Sequence, residues 1–221
     1  MLEKTQGIVL NYLKYRDTSV IVRIYTEKYG LQSYIINGIR SIKSKKSIGL
    51  LQPFTILDLV IYHSDKRDLH RLSEYKNHFP LKTLHYDIRK STIALFLTEI
   101  LIKTLEEHFE EENSQFLFIK NAIIQFDALE AGYENFHIFF LINYANYLGF
   151  GIYDTTTIDS QGDSELVDFL QLVKNENQYF QLKTTQSIRR KALDMILAYY
   201  SEHIDNFGKI KSLQVLYQIF D

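Results

Sequence analysis

Residues 37–47 read NGIRSIKSKKS. They hold Arg40, Lys43, Lys45 and Lys46 and no acid, in a chain whose net charge is -2. Clustered cations of this kind suit one chemistry well. They neutralise phosphates, and each contact releases condensed counterions. Lys14, Arg16 and Arg23 lie in the short segments just before, so the positive charge becomes continuous if those segments pack side by side. Tyr12, Tyr15, Tyr25, Tyr29 and Tyr34 interleave with the cations, and exposed tyrosines stack on unpaired bases. The alternative is a loop that is merely solvated, with tyrosines that belong to the core.

Other chemistries lack the residues to run them. There is no GxxxxGK[ST] phosphate loop, no HExxH and no GxSxG. The chain has no cysteine, which removes disulfides, thiolate nucleophiles and Cys-based zinc sites. The seven histidines do not fall at ligand spacing, and His63 and His70, on either side of a turn, are expected to be surface polar residues. The acidic run EEHFEEE, with Glu106, Glu107, Glu110, Glu111 and Glu112, reads as a solvated helix end, because clustered acids there oppose the helix dipole. IRRKAL, with Arg189, Arg190 and Lys191, is a second basic spot. It is either the polar face of an amphipathic helix or a site for an anion or acidic peptide. No catalytic residue, cofactor or metal is expected. The segment MLEKTQGIVL has no basic head before an apolar stretch, and no apolar run approaches the ~20 residues of a membrane span, so a cytoplasmic protein is expected.

Two elements must position these groups. Residues 1–80 carry 13 basic and 7 acidic side chains, net +6; the remainder carries 12 and 20, net -8. Such asymmetry suggests two units with different partners. The texture changes at the same point. TQGIVLNYLKY, SVIVRIYTEKYG, LQSYIINGIR, LQPFTILDLVIYH and RDLHRLSEYKN are short, β-branched, aromatic and partly alternating, with turn residues between them. Five such strands suit a small closed barrel, which leaves no edge exposed. Pro53 is placed near the start of its strand, where it costs no ladder hydrogen bond. After Pro80 the apolar spacing becomes helical. Asp87 or Ser91 is expected to cap the first helix and Ser114 the second, and Gly149 and Gly151 to stop a nearly all-apolar central helix. The expectation is α+β: a barrel over 1–80 and five or six helices over 81–221, packed directly because no flexible linker separates them.

The ordered series TQGIVL, Tyr15 with DTSVIV, YTEKYG, NGIR with trailing basics and LQPF resembles the opening of the RecO family of bacterial recombination-mediator and DNA-repair proteins. HIDNFGKIKSLQVLYQIF resembles the end of that family, most clearly at KSLQVL. The resemblance implies an OB-fold barrel followed by a helical domain, and a non-enzymatic role. It implies binding and annealing of single- and double-stranded DNA, action with RecR, and help in loading RecA where single-strand-binding protein covers the DNA. On this reading Lys14, Arg16, Arg23, Arg40, Lys43, Lys45 and Lys46 hold phosphates. The helical half would receive the acidic, Phe-ended tail of single-strand-binding protein, with Lys103, Lys120, Arg189, Arg190 or Lys191 supplying cations. Many members carry a Cys-rich zinc module after a segment like YLGFGIYD; here TTTIDSQGDSE follows, so that module is expected to be absent. Two rival readings stand beside this one: an OB-fold RNA-binding accessory protein, and an adaptor that binds only proteins. A hydrolase is disfavoured, since no nucleophile or metal set assembles.

Overall fold

Alternating apolar side chains build five strands, β1 (Leu2–Tyr15), β2 (Ser19–Thr26), β3 (Gly30–Ile36), β4 (Ile56–Tyr62) and β5 (Leu69–Phe79). The structure is a computed structural model and describes residues 2–41, 48–63, 68–106, 114–152, 164–175 and 178–220. The strands close in the order β1-β2-β3-β5-β4, the OB-fold barrel that the resemblance implied. Every neighbouring pair is antiparallel except β3 and β5, whose parallel pairing seals the barrel. β1 pairs with β2 along one edge and β4 along the other, and an irregularity between Val9 and Asn11 lets it bend between them. At Gly7 a β-carbon would lie 2.5 Å from Ile24 Cγ2 and 2.7 Å from Leu59 Cδ1, so only glycine lets the barrel walls approach here. Val20, Val22, Ile24, Tyr34, Leu59 and Leu72 are among the side chains that fill the interior. Pro53 differs from its expected place. The strand begins only at Ile56, and Pro53 sits in the preceding turn, where Phe54 takes a φ of 68°.

Six helices follow: α1 (Ile88–Thr104), α2 (Ser114–Ala128), α3 (Phe136–Tyr147), α4 (Ser164–Val173), α5 (Gln186–His203) and α6 (Leu213–Phe220). Asp87, not Ser91, caps α1, accepting from the amides of Arg89 and Lys90. α3 is buried along most of its length, and the chain leaves it through Gly149 at a φ of 83°. Glu99, in the fourth turn of α1, caps α6 from outside by accepting from the Lys211 and Ser212 amides at 2.8 and 2.9 Å.

Barrel and helices share a core. Ile8, Leu10, Tyr25, Leu31, Phe54 and Ile56 leave the barrel on its outer side and pack with the aromatics of α2 and α3. Polar ties cross the same boundary: the Tyr25 hydroxyl donates to Gln115 Oε1 at 2.7 Å, and Lys120 Nζ to Gln6 Oε1 at 2.8 Å. The segment after Pro80 is fastened by the buried Asp127, whose carboxylate accepts from the amides of Lys82, Thr83 and Leu84, each at 2.8 Å. Lys90, also buried, donates to Thr83 Oγ1 and to the carbonyls of Asp127 and Leu129, closing the end of α2. Among the described residues no helix is long and apolar enough to cross a membrane.

Candidate nucleic-acid interface

Strand alternation decides which cations reach solvent. In β2, Val20, Val22 and Ile24 point into the barrel, which sends Ile21 and Arg23 outward. Arg23 is exposed and stands opposite Asn11 on β1 and Ser33 on β3, neither of them acidic. Lys14 is exposed at the β1 end of the β1–β2 hairpin. Arg16 occupies the turn itself at a φ of 49°, with its guanidinium carbon 5.2 Å from the centre of the Tyr15 ring. A left-handed conformation favours glycine over any branched side chain, so an arginine here is held at a conformational cost. Arg40, 24 residues on, folds back onto the same turn: its amide donates to Thr18 O at 3.0 Å and its Nη1 to Arg16 O at 3.4 Å. Lys14, Arg16 and Arg40 are thereby gathered at one end of the barrel, with Arg23 on the adjoining outer face. Neither β2 nor β3 contains an acid; Asp17 is the acid of the turn. Lys43, Lys45 and Lys46 lie outside the described residues.

The end of β4 and the start of β5 bring in groups the sequence had assigned elsewhere. His70 is not a surface residue: it is buried, because its register opposite Tyr34 points it into the barrel. Its ring stacks on His63 at 4.8 Å, and His63 stacks on Tyr29 at 3.8 Å. Just outside this stack, Tyr62 and Arg71 face each other across β4 and β5 on the outer surface, with the guanidinium carbon 5.9 Å from the ring centre. Sequence reasoning missed this pair. The alternation of β4 and β5 was legible, but nothing in it marks which strands become neighbours.

The five cations considered for an acidic peptide do not converge. Lys103 Nζ donates to Phe207 O at 2.6 Å, and Lys120 reaches back to Gln6 at the barrel. Arg189 and Arg190 line a small notch with His137, Gln186, Leu216, Tyr217 and Phe220, between α3, α5 and α6. The Arg190 guanidinium lies 4.2 Å from the centre of the Tyr217 ring, and Lys191 is exposed nearby on α5. At the notch floor His137 is buried, and its Nδ1 has no hydrogen-bond partner among the described residues. Burial, helped by the nearby Arg189 charge, pulls its imidazole down to about 3. Burial likewise lowers Arg189, with Glu134 partly opposing. The phenylalanines of α2 and α3 offer an acidic, Phe-ended peptide little open wall: Phe116, Phe126, Phe136, Phe139 and Phe140 are core, and Phe118 is partly buried and stacks on Tyr147.

Residues 1–79 match the family described as Recombination protein O N terminal, and residues 85–155 match Recombination protein O C terminal. The chain belongs to the Recombination protein O family. Its relatives include the DNA repair protein RecO of Flavobacterium psychrophilum, 35% identical over 98% of both chains. The DNA repair protein RecO of Bacteroides fragilis is 32% identical over the full length of both, and that of Flavobacterium johnsoniae 32% over 98% of both. The N-terminal match spans all five strands, and so contains the Arg16–Arg40 cluster and Arg23. The C-terminal match begins in the Asp127-bound connection and covers α1, α2 and α3. Among the described residues no group of three or more His, Cys, Asp or Glu is placed to hold a metal ion. Most of TTTIDSQGDSE, where the resemblance sets a zinc module in other members, lies outside the described residues.

Proposed function

We propose that this chain is a DNA repair and recombination mediator that binds DNA on its barrel and acts by holding strands rather than by catalysis. The observation that carries this reading is the return of Arg40 onto the β1–β2 turn, which brings its guanidinium to the backbone of Arg16 and so gathers cations from distant parts of the sequence at one turn. With Lys14 and Arg23 they form a positive surface beside strands that carry no acid. Two complementary strands held there repel each other less and sample pairing faster, so annealing needs only charge neutralisation. The barrel would span residues 1–80 and the helical domain 81–221, with Lys43, Lys45 and Lys46 extending the phosphate contacts beyond Arg40. RecR and the loading of RecA onto DNA covered by single-strand-binding protein belong to this reading as partners.

The test is binding of labelled single- and double-stranded oligonucleotides across a salt series, with Arg23→Glu/Arg40→Glu as the variant. Each lost phosphate contact flattens the slope of log K against log salt by roughly 0.7 to 0.9. Unchanged affinity and slope would remove the interface. Competition by RNA of the same sequence separates the RNA-binding rival.

The notch beside Arg189 and Arg190 favours a second partner, the acidic tail of single-strand-binding protein. It places two guanidiniums next to the apolar Leu216, Tyr217 and Phe220, the combination that an acidic chain ending in an aromatic side chain needs. A labelled tail peptide should bind the full chain saturably, and Arg190→Glu should abolish that binding without touching affinity for DNA.

A further inference from the structure

Two ring contacts set α2 and α3 side by side and antiparallel: Phe126 stacks on Phe136 at 4.0 Å near one end, and Phe118 on Tyr147 at 4.9 Å near the other. Between the helices lies a cleft of about 430 Å³, a size that ligand sites commonly have. Leu117, Asn121 and Gln125, each four residues from the next, line its α2 wall. Phe139, Asn143 and Asn146 line the α3 wall with the same helical spacing. Ala122 and Phe139 are buried and form an apolar base. Leu117 and Tyr147 remain 45% and 40% exposed where the cleft opens.

The polar groups of the cleft are carboxamides and one hydroxyl, that of Ser114; among the described residues no charged side chain lines it. Asn143 donates to Phe139 O at 2.9 Å and to Lys174 O at 3.0 Å. Those two carbonyls use both of its amide hydrogens and fix its orientation, which leaves Oδ1 to accept. Asn146 donates to Asn143 O at 3.1 Å and keeps a second hydrogen and its Oδ1. Asn121, on the opposite wall, is exposed, and its side chain has no hydrogen-bond partner among the described residues.

The lining selects by charge. A carboxylate or phosphate would enter without a cation to meet it, in a half of the chain whose net charge is -8. Unpaired bases also match carboxamides, but they arrive with their phosphates. An extended peptide backbone brings a donor and an acceptor at each residue and no charge. Its side chains alternate in direction, so one apolar side chain can face the base of the cleft while the backbone meets the amides of both walls.

We propose that the α2–α3 cleft docks an uncharged, extended peptide segment of a partner protein, with Asn121, Asn143 and Asn146 holding its backbone and Ala122 and Phe139 receiving one apolar side chain. The site is separate from the DNA-binding surface and from the notch beside Arg189 and Arg190.

The experiment is an NMR titration of the full chain, read at the side-chain amide signals of Asn121, Asn143 and Asn146. The probes are acetyl-Ser-Leu-Ser-amide, acetyl-Ser-Phe-Ser-amide, acetyl-Ser-Ala-Ser-amide and the acidic acetyl-Asp-Leu-Asp-amide. The Leu or Phe peptide should shift the three signals saturably with a Kd of about 1 mM. The Ala peptide should bind at least about fivefold more weakly and the acidic one at least about tenfold. Asn121→Leu, a change at an exposed helix position, should weaken the Leu peptide about fivefold, while Arg190→Glu should leave it unchanged. The proposal is overturned if neither the Leu nor the Phe peptide shifts these signals at about 10 mM, well above the expected Kd. Equal binding of the acidic peptide, or full affinity in Asn121→Leu, would overturn it as well. A single-stranded oligonucleotide that moves the same signals and displaces the peptide would overturn it in favour of a nucleobase. None of these results bears on the barrel, whose DNA binding is read separately in the salt series.

Discussion

Acid should destabilise this protein through one side chain in a measurable way. His137 is buried on α3 between Phe96 and Phe220, with ring centres at 6.1 and 6.5 Å. Its imidazole is held neutral, down to about 3 from an unfolded value of 6.5. A group whose folded value is depressed contributes stability that is present above the unfolded value and lost as pH falls below it. At pH 7 the unfolded chain is mostly neutral at this site and almost nothing is lost. At pH 5 the unfolded imidazole is protonated while the folded one is not, a gap of about 1.5 units, or about 2 kcal/mol. Urea titrations of the wild type and of His137→Phe and His137→Leu, each at pH 7 and pH 5, isolate this contribution, because the other histidines cancel in the difference. The wild type should lose about 2 kcal/mol more than either variant between the two pH values. Equal losses would refute the reasoning. The same neutrality means that a peptide held near Arg189 and Arg190 gains nothing from His137 between pH 7 and pH 5.

Arg16→Gly replaces a side chain held at a φ of 49° by the residue that prefers it, so thermal unfolding should show equal or higher stability while oligonucleotide titration shows weaker binding to strand and duplex alike. Asp127→Asn leaves three backbone amides facing a group that accepts less well, and should cost about 2 kcal/mol in urea. Burial raises that carboxyl, but the amides of Lys82, Leu84 and Thr83 outweigh it and hold it below the usual range; its contribution should fade only as pH falls through and below about 3.9. Glu99→Ala removes the cap of α6 and should cost about 1 kcal/mol, with hydrogen exchange rising first at the α6 amides.

Much of this fold was legible because its signals are local. The switch from alternating to helical apolar spacing at Pro80 reports burial on one face of a strand or one stripe of a helix, and needs no partner to be read. Asp87 as a cap and Gly149 as a stop follow from backbone groups within a few residues of each side chain. The cations themselves were equally visible, since charge density along a chain is a property of the chain. Neighbours across the barrel were not. The parallel pairing of β3 with β5 brings Ile35 beside Arg71 and turns His70 inward, and no propensity encodes which strand closes a barrel. Arg40 reaches Arg16 only because the segment after β3 folds back over the first turn. Lys103 and Lys120, as basic as Arg189 in the sequence, end on a carbonyl of Phe207 and on Gln6, because packing set acceptors in front of them. The sequence by itself determined which segments become strands or helices and where positive charge collects. The tertiary structure alone decided which of those charges face one another, because long-range pairing is selected by the sum of many contacts rather than by any single residue.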